Sequence, residues 1–408
     1  MNVSTQAQAI LLMTAWFTKP AKGGAKPLTP TEWGRFAAWL KDQNKSPEAL
    51  LASDDPLDYL NGWLDPSVTP ARIQDLLGRS AALGLALEKW QRAGLWVMTR
   101  SDSDYPARLK KRLKLDAPPV LFGCGERQLL DRGGIAVVGS RAASEEELAC
   151  TSCLGAEIAS QGYSVVSGGA RGVDEAAMLG ALEKEGAVIG VLADSLLRAA
   201  TSAKYRQGLM GKNLVLVSSF NPEAGFDVGN AMARNKYVYC LSEAGVVIST
   251  SKEKGGTWNG AVENLKYGWV PLWVKKHGDP ESGNAALVKM GARWLPSENL
   301  AVGSLASHEQ INPITANAPG PRPGTNGGKP EPPVAVDRLS FYELFIRRLE
   351  ALTSKSPVTL DDLLQQIDVG KSQMNDWIKR AEAEGRVSKL DKPVRYASAR
   401  ARQQRLDL

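Results

Sequence analysis

Apolar positions along the chain follow two different rhythms. Over roughly the first hundred residues they recur at helical spacing. Thr29-Pro30 offers a capping side chain and a favoured first helical residue, and Trp33, Phe36, Ala37 and Leu40 follow on one face. Ile73, Leu76, Leu77, Leu83, Leu87 and Trp90 continue in the same style, so the tryptophans here are expected in a core. After Tyr105-Pro106 short β-branched runs take over, at 135–138, 163–166, 187–192, 214–217, 245–249 and 270–274. Helical patterns at 145–161, 174–185, 229–242 and 259–267 separate them. Strands that are apolar on both faces, alternating with helices, predict a parallel sheet covered on both sides.

Residues 305–336 are rich in proline and glycine and predict a flexible linker. Beyond it, Phe341, Leu344, Phe345, Leu349 and Leu352 form one amphipathic stripe, and Thr359 caps a second helix running to 367. Gly370 supplies a turn, and a third helix at 372–384 points Met374, Trp377, Ile378 and Ala381 inward. Gly385 ends it, and 386–396 reads as a two-stranded wing. The fold class expected is therefore α/β. A helical N-terminal domain of the SAM or helix-hairpin-helix kind (1–104) precedes a Rossmann-like core (105–304), the linker, and a winged-helix domain (337–408).

Charge and composition narrow the chemistry. Fifty Lys and Arg against 44 Asp and Glu give a net charge of +6, which permits a polyanionic partner. The two histidines, His277 and His308, lie in no motif, so triad-type nucleophilic catalysis has no material and no catalytic residue is assigned. Cys124, Cys150, Cys153 and Cys240 do not complete a zinc site, and neither a metal nor a cofactor is predicted. No apolar run approaches the ~18–20 residues of a membrane span, and no basic segment precedes the apolar stretch at 9–12. A cytoplasmic protein without a membrane partner is expected.

In a parallel sheet, ligands sit beyond the carboxyl ends of the strands, where helix N-termini favour anions. Three glycine-bearing segments fall at such points. Gly139-Ser140-Arg141 joins a sharp turn to a hydroxyl and a guanidinium fork. The segment from Ser167 to Asp174 bares the amides of Gly168 and Gly169, adds Arg171, and ends in an aspartate suited to capping the next helix. It is neither a dinucleotide fingerprint nor a P-loop. Lys254-Gly255-Gly256-Thr257 again opens into a helix. A further segment, Arg234-Asn235-Lys236, is a candidate to project towards the same rim.

These segments, in this order, resemble the DprA/Smf family of DNA-processing proteins. The resemblance covers about 72–275 and includes Val138-Gly-Ser-Arg141, Val166-Ser-Gly-Gly-Ala-Arg-Gly-Val-Asp174 and Asp104-Tyr-Pro106. Arg234-Asn235-Lys236 stands where that family shows Arg-Asn-Arg, with a lysine replacing the last fork, and Lys254-Gly-Gly-Thr257 replaces a Gly-Ser-Leu segment. The resemblance implies single-stranded DNA as ligand, a homodimer, and loading of a RecA-type recombinase. It would make Arg141, Arg171, Arg234 and Lys236 phosphate contacts, with amides from Gly168, Gly169, Gly255 and Gly256. Ser140, Asn235 and Thr257 would add hydrogen bonds. The two departures point to a divergent branch, in which the partner is a cognate toxin or the setting is phage defence.

Two other classes compete. Rossmann-like phosphoribohydrolases of the LOG group pair a Gly-Gly-x-Gly-Thr segment with a glutamate, and Glu263, six residues beyond Thr257, is the candidate. A transcription regulator would read duplex DNA with the tail. Its third helix carries Asp376, Glu382 and Glu384 beside Lys379 and Arg380, which favours non-specific contact or protein docking over base reading.

Overall fold

The computed structural model describes residues 3–17, 24–53, 56–277, 279, 282–297, 300–306, 341–353, 357–366, 374, 377–378, 380–382, 384–390 and 395–398. The expected linker from 307 onward, His308, Gly370, the wing tip and the basic residues after 398 lie outside them.

Nine strands form one sheet. They are β1 (Trp96–Thr99), β2 (Val120–Gly125), β3 (Ile135–Val138), β4 (Val165–Ser167), β5 (Val188–Val191), β6 (Leu214–Ser218), β7 (Ala244–Val247), β8 (Leu272–Val274) and β9 (Arg293–Trp294). Their spatial order is β1-β2-β6-β5-β4-β3-β7-β8-β9. From β6 to β9 every pair is parallel, with Ile135 opposite both Val165 and Ala244. β2 runs antiparallel to β6, and β1 antiparallel to β2, so the sheet is mixed at one edge.

The central strands are buried on both faces, and their side chains alternate between two cores. Ile135, Val137, Val165, Val188 and Leu216 join one cluster; Ala136, Val138, Val166, Ile189 and Val217 join the other. The first cluster is continuous with the N-terminal helices, through Ile10, Leu11, Trp33, Phe36, Ile73 and Trp90. Residues 1–104, expected as a helical domain, thus pack on one face of the sheet and contribute β1 to it. The segment expected to be linker from 305 onward begins inside this core: Leu305 is buried, and its carbonyl accepts from Trp273 Nε1 at 3.0 Å.

Local sequence sets the helix starts. Thr29 and Glu32 form a capping box ahead of Pro30–Asp42, and Ser144 and Glu147 do the same for Glu145–Ser160. One boundary differs from expectation. The helix anticipated from 259 begins at Gly255 and runs to Tyr267, so the Gly-Gly-Thr segment is its first turn rather than a loop.

The chain divides at 317/318 into two compact units. In the second, helices Phe341–Thr353 and Leu360–Gln366, helical residues 374, 377–378 and 380–382, and an antiparallel ribbon of β10 (Val387–Leu390) and β11 (Arg395–Ser398) surround Leu349, Leu363, Met374, Ile378 and Tyr396.

Trp90 stitches the N-terminal helices to the sheet. It is 0% exposed and meets Phe122 of β2 edge-on at 5.0 Å. Trp90→Ala is expected to lower the unfolding free energy by about 3–5 kcal/mol in urea titration. Trp90→Phe should lose much less, because it keeps a ring and removes an indole N–H that is buried without a partner. Equal losses would show that the contact with Phe122 does not hold the layers together.

Candidate functional site

The order of the strands reverses between β3 and β7, where successive connections leave in opposite directions. A crevice at such a switch point is the usual ligand site of an open α/β sheet. Here it holds a cavity of about 450 Å³. Its walls come from Gly139, Ser140 and Arg141 after β3, Lys254 to Thr257 beyond β7, and Arg234 and Asn235 on the helix Val228–Leu241. A second cavity of about 240 Å³ adjoins it over β4, lined by Gly168, Gly169 and Arg171, and shares Arg141 and Arg234. Every candidate contact residue of the four segments except Lys236 therefore lines one of the two cavities.

The reason lies in helical geometry. Two residues along a helix lie about 200° apart around its axis, so Arg234 and Lys236 cannot share a face. Lys236 instead lies over the Tyr237 ring at 5.4 Å and influences Glu263.

Arg234 also plays a different part from an open phosphate contact. It is 4% exposed, and its Nη1 lies 3.5 Å from Asp174 Oδ2. Asp174 is not the cap of its helix, a position taken by Gly172; its buried carboxylate accepts from the amides of Ala170 and Gly139. Burial pushes this carboxyl up, against the opposing pull of Arg234 and the two amides. The same burial lowers Arg234, which as a guanidinium stays charged. The pair leaves no room beside it: a Cβ on Gly168 would fall 1.1 Å from Arg234 Nη1.

The expected hydrogen-bonding side chains also turn inward to build the walls. Thr257 Oγ1 donates to the Gly139 carbonyl at 2.8 Å, and Asn235 Nδ2 donates to the Gly256 carbonyl at 2.9 Å. Ser140 Oγ accepts from the Ala142 amide within its own turn. The first turn of Gly255–Tyr267 has no side-chain cap and no acidic residue, and Lys254 precedes it. A cation at a helix N-terminus is unfavourable on its own and deepens the positive potential there. Gly255 adopts φ +87°, a conformation that suits glycine at this entry.

Arg141, Arg171 and Lys254 are exposed and make no ion pair among the described residues. Arg141 lies over the Phe226 ring at 4.8 Å. Phe226 is 57% exposed and lines both cavities, a residue the sequence reading missed. The available signal was an aromatic side chain in a Gly- and Asp-bearing loop just ahead of a helix. At the base of the larger cavity, Tyr239 Oη and Arg234 Nε are buried without a hydrogen-bond partner among the described residues. Buried donors of this kind are completed by ordered water or by a ligand that brings acceptors. No cluster of potential metal ligands occurs among the described residues.

The sequence profile of the DNA recombination-mediator protein A family matches residues 96–304, half of the chain and the whole region that carries the site. The chain belongs to this family. The DNA processing protein DprA of Bacillus subtilis (strain 168) is 30% identical over 213 residues, covering 51% of this chain and 71% of the relative. Protein Smf of Escherichia coli (strain K12) is 31% identical over 218 residues, or 48% of this chain and 58% of that one. The X-ray structure of DNA processing protein A from Streptococcus pneumoniae shares the fold, with a TM-score of 0.58 at 22% identity over 76% of this chain and 100% of that one. In this chain a buried ion pair frames the candidate site.

Removing one partner of a buried pair strands the other charge. Arg234→Ala is expected to lower the unfolding free energy by about 3–5 kcal/mol, whereas the exposed Arg141→Ala should barely move the urea midpoint. Coincident midpoints for the two variants would deny the pair its structural role.

Proposed function

We propose that this chain binds single-stranded DNA at the carboxyl edge of its sheet, and that it protects such strands and passes them to a RecA-type recombinase. One observation carries the reading. Three exposed, unpaired cations, Arg141, Arg171 and Lys254, surround two adjoining cavities, with the exposed Phe226 between them. Cations that track a backbone and an aromatic face on which a base can stack are the two elements of sequence-tolerant single-strand binding. Family membership supports the assignment, as does the acceptor-seeking floor of Tyr239 and Arg234.

A hydrolase reading fits less well. Glu263 lies outside the cavities, half-buried, with its carboxyl raised by burial against the pull of Lys236 and Lys266. Asp174 is the carboxylate lining the larger cavity, and Arg234 and two amides already engage it. For the tail we propose a winged helix. In support, the ribbon of β10 and β11 is joined by a bridge between Val358 and Tyr396, ahead of the second helix.

The test is binding of the full chain to a fluorescent oligothymidylate and to its duplex across a salt series. Preference for the single strand is expected, with log K falling by about 0.7 per tenfold salt for each phosphate neutralised. Arg141→Ala should weaken binding by about 1–2 kcal/mol, and Phe226→Ala by about 1–3 kcal/mol. Equal affinity for duplex, or no change in either variant, would overturn the assignment. Handover is tested separately: the chain should speed RecA filament growth on strands coated with single-strand-binding protein, and no acceleration would confine its role to binding.

A further inference from the structure

The three cations of the proposed interface belong to a longer series. Read in spatial order, β7, β3, β4 and β5 are neighbours, and each is followed by a segment carrying an exposed basic residue: Lys254, Arg141 and Arg171 ahead of the next helix, and Arg198 on the short helix Leu196–Ala200. None of the four makes an ion pair among the described residues. Exposed cations without an ion pair among the described residues also occur elsewhere on this unit, Lys41 and Lys212 among them, so what marks these four is their placement after adjacent strands. The series stops at β6, where Ser219, Phe220 and Asn221 follow the strand and the nearby Lys89 and Glu223 neutralise each other.

The cavities follow the same line. A third one, of about 460 Å³, lies over β5 and is lined by Arg198, Ser202 and Lys204. It shares Gly169, Leu192 and Asp194 with the cavity over β4, which in turn shares Arg141 and Arg234 with the cavity at the switch point. The three are therefore contiguous. At a strand spacing of ~4.8 Å, four neighbouring strands carry the cations across about 14 Å. Asp194 also lines this extension, makes no ion pair among the described residues and acts electrostatically on Arg234; the nearby Glu175 is engaged by Lys204 at 2.7 Å.

We infer that the bound strand runs along the rim from β7 to β5, and that the segment after β5 forms a further subsite in which Arg198, on the short helix Leu196–Ala200, contacts a phosphate. This rests on the single-strand reading above. It adds a direction and a length: short strands fill the switch-point cavity, and only longer ones reach Arg198.

The experiment compares the full chain with Arg198→Ala, using fluorescent oligothymidylates of about 3 to about 12 nucleotides. The variant should match the unaltered chain on the shortest probes that bind. On the longest it should bind about three- to tenfold more weakly, with a salt dependence shallower by about 0.7. Arg198→Lys should restore most of that slope. Lys184→Ala, an exposed cation at the far end of the helix Val173–Glu183, controls for net charge and should change nothing. Weakening that is equal at all lengths, or absent at all lengths while the unaltered chain still binds, would overturn the β5 subsite alone. Failure of the unaltered chain to bind any probe would instead overturn the reading beneath it.

Discussion

The buried pair of Asp174 and Arg234 holds three separate stretches of chain in register. The carboxylate gathers the amides of Gly139 and Ala170, and so fixes the loops after β3 and β4 relative to each other. The guanidinium comes from the helix Val228–Leu241, sixty residues further on, and locks that helix over both loops. Thr257 and Asn235 extend the same bracing to the helix Gly255–Tyr267. With Asp174, Asn235, Thr257 and one edge of Arg234 engaged in this way, the cations left to meet solvent are those on the rim. The division of labour is thus between an interior that spends its polarity on positioning and a rim that keeps its charge free.

Much of this was legible in the sequence, and what was not has identifiable causes. The central strands announced themselves because β-branched residues filled both faces. β1 and β2 did not, because Gly123 and Gly125 interrupt the pattern of β2, and β1, only half of it buried, carries Trp96 and Met98 in place of a run of valine and isoleucine. β9 has only two residues and is set by its neighbour. The glycine segments were found because strand ends followed by Gly, Ser and Arg constrain the backbone locally. Arg234 was read as an open contact because an arginine is rarely buried, and the carboxylate that permits its burial is remote in sequence. Lys236 was misplaced by treating three consecutive residues as one unit, although helical geometry separates them.

The contrast between Arg234 and Arg141 matters for any reading of this surface by mutation. Both are arginines beside the same cavity, yet one is framework and the other is free to meet a ligand. A loss of binding caused by altering Arg234 would report on the shape of the site as much as on a lost contact. Exposed residues with neighbours they do not need, such as Arg141 over Phe226, give cleaner information.

The order of the strands has a geometric corollary. Parallel sheets are twisted, with each strand rotated by roughly 20–25° from the next. Between β7 and β5 there are three such intervals, so the row of strand ends winds through about 60–75° about the axis along which a ligand would run. A flexible single strand, as in the reading proposed above, would wind with those ends at little elastic cost, whereas a duplex carries its phosphates on a helical path of its own. Discrimination between one strand and two would then reside in the winding of the scaffold.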